Sequence, residues 1–136
     1  MGHLSPDALS RVMRSIRKTN TSPEMAVRRI IHRLGFRYRL HVRELPGTPD
    51  IVLPRLRKVV VVHGCFWHQH AGCRLAKLPR SRPEYWLPKL ARNQERDQIA
   101  EKALAALGWR VLVIWECETK RPERVEKRIR KFLAPR

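Results

Sequence analysis

Apolar positions recur along this chain with two periods, and the switches between them mark its elements. Leu9, Val12, Met13 and Ile16 stand at helical spacing among basic residues and predict a short basic helix, which Lys18-Thr19-Asn20-Thr21 breaks. Ser22 reads as the cap of a second helix, with Pro23 at its first helical position and Glu24 in the first turn, where negative charge is favoured. Met25, Val27, Ile30, Ile31 and Leu34 give that helix an apolar face, and Gly35 stops it. The period then changes to two: Phe36, Tyr38, Leu40 and Val42 alternate with polar residues, the pattern of a half-buried strand. Pro46-Gly47-Thr48-Pro49 forces a turn, and Asp50 to Leu53 and Lys58 to His63 read as strands on either side of a second turn. Glu84 to Leu107 predicts a long helix, open to a break at Pro88 and closed by Gly108. Trp109 to Trp115 reads as another central strand and Glu123 to Leu133 as a final basic helix. This order predicts an α/β fold in which a meander is extended by a helical crossover, giving a mixed sheet flanked by helices.

At 136 residues the chain is expected to fold as one domain, with residues 1–20 as a basic arm. Charge changes the picture more than size does. Thirty Lys+Arg against twelve Asp+Glu leave +18, which calls for a polyanion. Arginine forks suit phosphates and no apolar run approaches membrane length, so nucleic acid is expected rather than lipid. The polar start, Met1 to Ser10, shows no leader pattern. Three cysteines are an odd number for disulfides, so a cytoplasmic protein that uses its thiols for metal ligation is expected.

The densest chemistry is His63-Gly64-Cys65-Phe66-Trp67-His68-Gln69-His70-Ala71-Gly72-Cys73, at the exit of the Val59–Val62 run. Cys65, His70 and Cys73 are spaced to bend around one ion, and Cys117 lies where the last strand ends. If that strand runs parallel to Lys58–His63, Cys117 completes a Cys3His set, the composition of a closed structural Zn2+ site. The bland alternative makes Cys117 a small core residue and the loop thiols incidental. It leaves a loop of residues 64–83 with almost no core-forming side chains to hold it. His63 and His68 remain; each alone is an ordinary histidine. With Asp50 on the neighbouring strand they form a carboxylate beside two imidazoles, a set suited to holding Mg2+ and moving a proton from water.

Pro46-Gly47-x-Pro49-Asp50, the His63–His70 segment, Glu84-Tyr85-Trp86 with Lys89 and Asn93, and Gly108-Trp109-Arg110-Val111 running to Trp115-Glu116-Cys117 together resemble the very short patch repair endonucleases. The resemblance spans Leu9 to Cys117, and the His-Gly-Cys-Phe-Trp-His motif is its most specific part. It implies a diverged restriction-endonuclease-like core of the PD-(D/E)XK type. It implies an enzyme that nicks one strand 5′ to the thymine of a T·G mismatch left by deamination of 5-methylcytosine. Asp50 is implied as the Mg2+ ligand, with the main-chain carbonyl of Val62, where the family often has threonine. His63 and His68 are implied as active-site histidines, His68 to position or deprotonate the attacking water. Glu24 is implied to bind water on the metal. Cys65, His70, Cys73 and Cys117 are implied as structural Zn2+ ligands.

Phe66, Trp67 and Trp86 are implied to wedge into the base stack, where a wobble pair lowers the unstacking cost. Lys89 and Asn93 belong to the same DNA-facing motif, and Met13 and Ile16 to a helix that clamps DNA. Packing of Trp86 under the long helix is the alternative for that residue; Trp109 and Trp115 read as core. Related nucleases carry an acid and a lysine on the strand after Pro-Asp, whereas this chain has Val61-Val62-His63 there. Two departures stand out: Ala71-Gly72 lengthens the His70–Cys73 spacing by one, and Gln69 replaces a histidine. A monomer suits a single-strand nick, and the resemblance extends to partners such as MutL and a cytosine methyltransferase. Two other readings explain the charge: a restriction-type or defence nuclease of different specificity, and a zinc-stabilised nucleic-acid-binding module without catalysis.

Overall fold

A computed structural model describes residues 20–135. The predicted amino-terminal helix, with Met13 and Ile16, lies outside the described residues. The first described helix, α1, spans Ser22–Arg33. Its cap is Thr21, not Ser22: Thr21 keeps an extended backbone (φ −70°, ψ 160°) and its hydroxyl accepts the Glu24 N–H at 3.3 Å. Gly35 ends the helix at φ +89°, a left-handed turn that suits a residue without Cβ.

The sheet has four strands: β1 (Arg39–Leu40), β2 (Ile51–Leu53), β3 (Lys58–His63) and β4 (Arg110–Trp115). They lie in the order β1-β2-β3-β4, antiparallel except for the parallel β3–β4 pair. The strand predicted for residues 36–42 shrinks to two residues: β2 ends at Leu53 and leaves residues 36 and 37 without a partner, and at the other end His41 turns to φ +46°. Helix α2 spans Pro83–Ala106 and makes the crossover from β3 to β4. It continues through Pro88, so the predicted break is absent; a proline this close to the amino-terminal end removes one donor without ending the helix. Helix α3, Pro122–Leu133, closes the described fold.

Both faces of the sheet are covered. Ile51, Leu53, Val60 and Ile114 point to one side, where they bury Val27, Ile30 and Ile31 of α1 and Val125, Ile129 and Leu133 of α3. Val52 and Val59, one residue out of step, point to the other side with Val42 against Leu104 of α2. This is why the strands read as unbroken apolar runs. Lys58 opens β3 in a buried position and donates to the Phe132 carbonyl at 2.7 Å, at the carboxyl end of α3 where a cation is favoured. The turn at Gly47 (φ +76°) lies directly against α2: a Cβ there would sit 2.6 Å from the Cβ of Ala100. Among the described residues no helix is long and apolar enough to cross a membrane.

Candidate active site

Three clusters of ionisable side chains collect around the carboxyl ends of β3 and β4, the edge at which parallel strands present ligands. The first is the thiol cluster. Parallel pairing puts His63 beside Trp115, so the residues that follow each strand meet. The Cys65 N–H donates to Glu116 Oε1 at 3.1 Å, and the Cys117 N–H to Cys65 Sγ at 3.4 Å. His70 N–H donates back to the Cys65 carbonyl at 2.9 Å, which curls the loop and delivers the imidazole. His70 Nδ1 then lies 3.6 Å from Cys65 Sγ and 3.5 Å from Cys117 Sγ, and with Cys73 all four donor atoms fall within 4.8 Å of one another. Bonds of about 2.3 Å to sulfur and about 2.0 Å to nitrogen give a tetrahedral site edges of about 3.5–3.8 Å. The four residues therefore fit a tetrahedral soft-metal site. Burial pushes the Cys65 thiol up to about 12, a preference that a bound divalent ion reverses. The extra residue between His70 and Cys73 is absorbed at Gly72, φ +71°. Gln69 donates to the carbonyls of Phe66 at 2.7 Å and Ala76 at 3.2 Å, so it fastens the loop without ligating.

The second cluster is Glu24, His41 and Asp50. Asp50 enters β2 from the Pro46–Pro49 turn, and its Oδ2 accepts the Val62 N–H at 2.8 Å. Burial lifts its carboxyl to about 6, the Val62 N–H pulling down and the neighbouring Glu24 charge pushing up. Glu24 is only 2% exposed; it is held by Arg28 one turn on, and its Oε2 lies 3.0 Å from His41 Nε2.

The third cluster is His63, His68 and Asp97. The two imidazoles stack face to face, 3.9 Å apart at 7°. Burial and the adjacent His68 lower His63 to about 4, so it is a neutral ring near pH 7. Asp97, on α2, lies 2.5 Å from His68 Nδ1. A carboxylate on Nδ1 fixes the tautomer that leaves Nε2 as the proton acceptor. Trp115 sits between clusters: His70 stacks on it at 4.1 Å and His63 meets its edge at 5.1 Å.

Beside the histidines lies an aromatic cluster. Phe66 meets Trp67 at 5.2 Å and Trp86 at 5.3 Å, with Tyr85 edge-on to Trp86 at 5.0 Å. Phe66 and Trp67 are partly open, whereas Trp86 is buried with Leu90. Asn93 donates to the Trp67 carbonyl at 3.3 Å, and Lys89 is half-buried on the same helix.

The sequence model described as DNA mismatch endonuclease Vsr matches residues 1–74. Over 132 residues the chain is 53% identical to the type II nicking enzyme V.XorIIP of Xanthomonas oryzae pv. oryzae, covering 97% of this chain and 96% of that one. Over 116 residues it is 40% identical to DNA mismatch endonuclease Vsr of Escherichia coli, covering 85% and 74%. The type II nicking enzyme V.NmeAIP of Neisseria meningitidis is 40% identical over 122 residues, covering 90% and 86%. The chain belongs to the Vsr endonuclease family.

As a Vsr-family DNA endonuclease, the protein gathers its conspicuous side chains in one region, but in groupings the sequence did not specify. Asp50 is expected beside His63 and His68; its carboxylate bonds the main chain of Val62 and clusters with Glu24 and His41, while still lying near enough to His68 to feel its charge. His63 and His68 pair with each other and with Asp97. Asp97 had a signal that sequence reasoning passed over: Trp86, Leu90, Asn93 and Asp97 follow one another at helical spacing on one stripe of α2, and a carboxylate on that stripe faces inward. His41 had none, because in a continuous strand it would simply occupy the polar side of the alternation.

Proposed function

We propose that this Vsr-family endonuclease nicks one strand of a DNA duplex 5′ to the thymine of a T·G mismatch, using Mg2+ for the chemistry and Zn2+ for structure. The observation that carries this reading is the His68–Asp97 pair, one residue beyond Trp67 of the aromatic cluster. A proton acceptor and a base-stack wedge on adjacent residues tie cleavage to a distorted step. Asp50, with the main-chain carbonyl of Val62, would hold the Mg2+, which when bound neutralises charge on the scissile phosphate. His68 Nε2 accepts a proton from the attacking water, and Asp97 holds the ring for it. His63 supports His68 face to face and keeps its approach neutral. Glu24 lines the ion's side of the site. Water attacks the phosphorus in line with the leaving oxygen.

Phe66 and Trp67 form the wedge, and Trp86 backs them from within the protein. Inserting a ring costs a few kcal/mol per step, least where pairing is already weak. Asn93 holds the wedge through Trp67, and Lys89 is left to meet the DNA. The core is read as a diverged restriction-endonuclease fold in which His63 stands where related nucleases carry lysine. Cys65, His70, Cys73 and Cys117 hold the Zn2+ as a closed site. One site per chain suits a monomer cutting one strand.

The deciding experiment uses two duplexes that differ only in one T·G pair, incubated with the protein and Mg2+. Nicking confined to the mismatched duplex is expected; equal nicking of the matched duplex sinks mismatch specificity. That outcome would favour a second reading, a nicking enzyme of other sequence specificity, which the name borne by the 53% identical relative supports.

A further inference from the structure

Six non-glycine residues among those described adopt positive φ, and of these only His41 belongs to a cluster of metal-ligand type. In the β1–β2 ladder Arg39 faces Val52 and Leu40 faces Ile51, so the next rung sets His41 opposite Asp50. The ladder ends there, but one hydrogen bond of that rung is made: the His41 N–H donates to the Asp50 carbonyl at 3.0 Å. Residues directly opposite in an antiparallel pair carry their side chains on one face, with Cβ atoms about 4.5–5.5 Å apart. At this rung the chain adopts φ +46°, a conformation that a residue with a Cβ takes only at a cost and that clusters at functional sites. The result is an imidazole beside two carboxylates, one of them 2% exposed.

We propose that His41 is a direct ligand of the catalytic divalent ion, completing with Glu24 and Asp50 a two-carboxylate, one-imidazole site that binds Mn2+-class ions more tightly than Mg2+. This rests on the reading of Asp50 as the ion's ligand. The three donor atoms lie within 4.8 Å of one another. Two ligands of one ion, each about 2.1–2.4 Å from it, can be no farther apart than about 4.8 Å. Arg28 already satisfies the Glu24 charge, so His41 is not needed as its counter-ion. The donor chemistry sets the preference. Mg2+ takes oxygen ligands and keeps its waters, whereas an imidazole nitrogen favours the transition-metal series, in which affinity rises from Mn2+ onward.

The test is Mn2+ bound to the zinc-loaded protein and examined by pulsed electron paramagnetic resonance for nitrogen coupling. The wild-type protein should show the coupling of a directly bound imidazole. His41→Asn should lose it: asparagine accepts positive φ, so the backbone is kept, but its side chain is too short to reach. Mn2+ affinity should fall about tenfold or more in that variant, with Mg2+ affinity changed much less. The proposal is overturned if the wild-type protein binds no Mn2+, if bound Mn2+ shows no nitrogen coupling, or if the coupling persists in His41→Asn, since His63 or His68 would then be its source. Asp50→Ala separates the two levels. If it leaves Mn2+ affinity unchanged, the assignment of the ion to Asp50 fails with the proposal; if it abolishes binding while His41→Asn does nothing, only the role of His41 fails.

Discussion

Asp50 and His63 are shifted by the same cause in opposite senses. Burial raises Asp50 from the ordinary 3.8 to about 6 and lowers His63 from 6.5 to about 4, because it disfavours the charged form of each. Asp50 therefore contributes stability that is present below about pH 4 and lost as pH rises to 6. The His63 contribution is present above about pH 6.5 and lost as pH falls to 4. Between pH 4 and 6 the two slopes oppose each other, and the protein free of added Mg2+ shows little pH dependence from this pair. Removing one partner exposes the other. Relative to wild type, the urea midpoint of Asp50→Asn should climb from pH 4 to 6, and that of His63→Gln should fall over the same range. Parallel curves for all three proteins would mean that neither group is buried as described. Near neutral pH both groups are deprotonated, His63 as an uncharged imidazole and Asp50 as a carboxylate.

At the scale of elements, the segment between β3 and α2 is the least self-sufficient. Its regular structure is a single turn at Arg74–Ala76, and Leu75 and Leu78 are 39% and 41% exposed rather than packed. Cys65 is its one fully buried side chain among residues 64–82. Phe66 and Trp67 pack at its start and Gln69 ties its carbonyls, so under the proposed zinc site ligation would hold the remainder. Stripping the soft metal with a chelator should open this segment to trypsin at Arg74, Lys77 and Arg80 while the amides of β3 and β4 stay protected from hydrogen exchange. Unchanged cleavage in protein shown to be metal-free would mean that the loop stands without ligation. The same contrast explains what could be read from sequence. β3 has the predicted bounds because four valines between a lysine and a histidine admit only a buried strand. The thiol cluster forms as expected because the α2 crossover makes β3 and β4 parallel. The strand expected over residues 36–42 is cut short at one end by the early end of β2 at Leu53 and at the other by φ at His41, neither of which periodicity encodes. Ser22 lost the cap to Thr21 because both are hydroxyl residues and only the backbone chooses between them.

In the whole molecule, charge and architecture divide the work. Thirty cations cannot be neutralised by twelve acids, and several of those acids are committed to internal pairs such as Arg28–Glu24 and Arg128–Glu118. The excess of eighteen positive charges favours a phosphate backbone. DNA affinity should fall steeply with salt, log K dropping by about 0.9 per phosphate contacted for each tenfold rise in salt. For an interface of about six or more contacts that is a slope of about −5 or steeper in a fluorescence-anisotropy titration. A slope shallower than about −2 would show that most of the charge never meets the duplex. Precision at the centre has a different origin. Gly47 presses on Ala100 across a gap that has no room for a Cβ. Asp50 follows three residues after the glycine, and Asp97 precedes the alanine by three, so this bare contact sets the distance between the two halves of the site. It works as a shim already at its minimum thickness. A single added methyl group would need more than about 1 Å of extra room, the scale of misplacement that can cost an enzyme about a hundredfold in rate. The machining tolerance of this nuclease is therefore set where it has no chemistry at all.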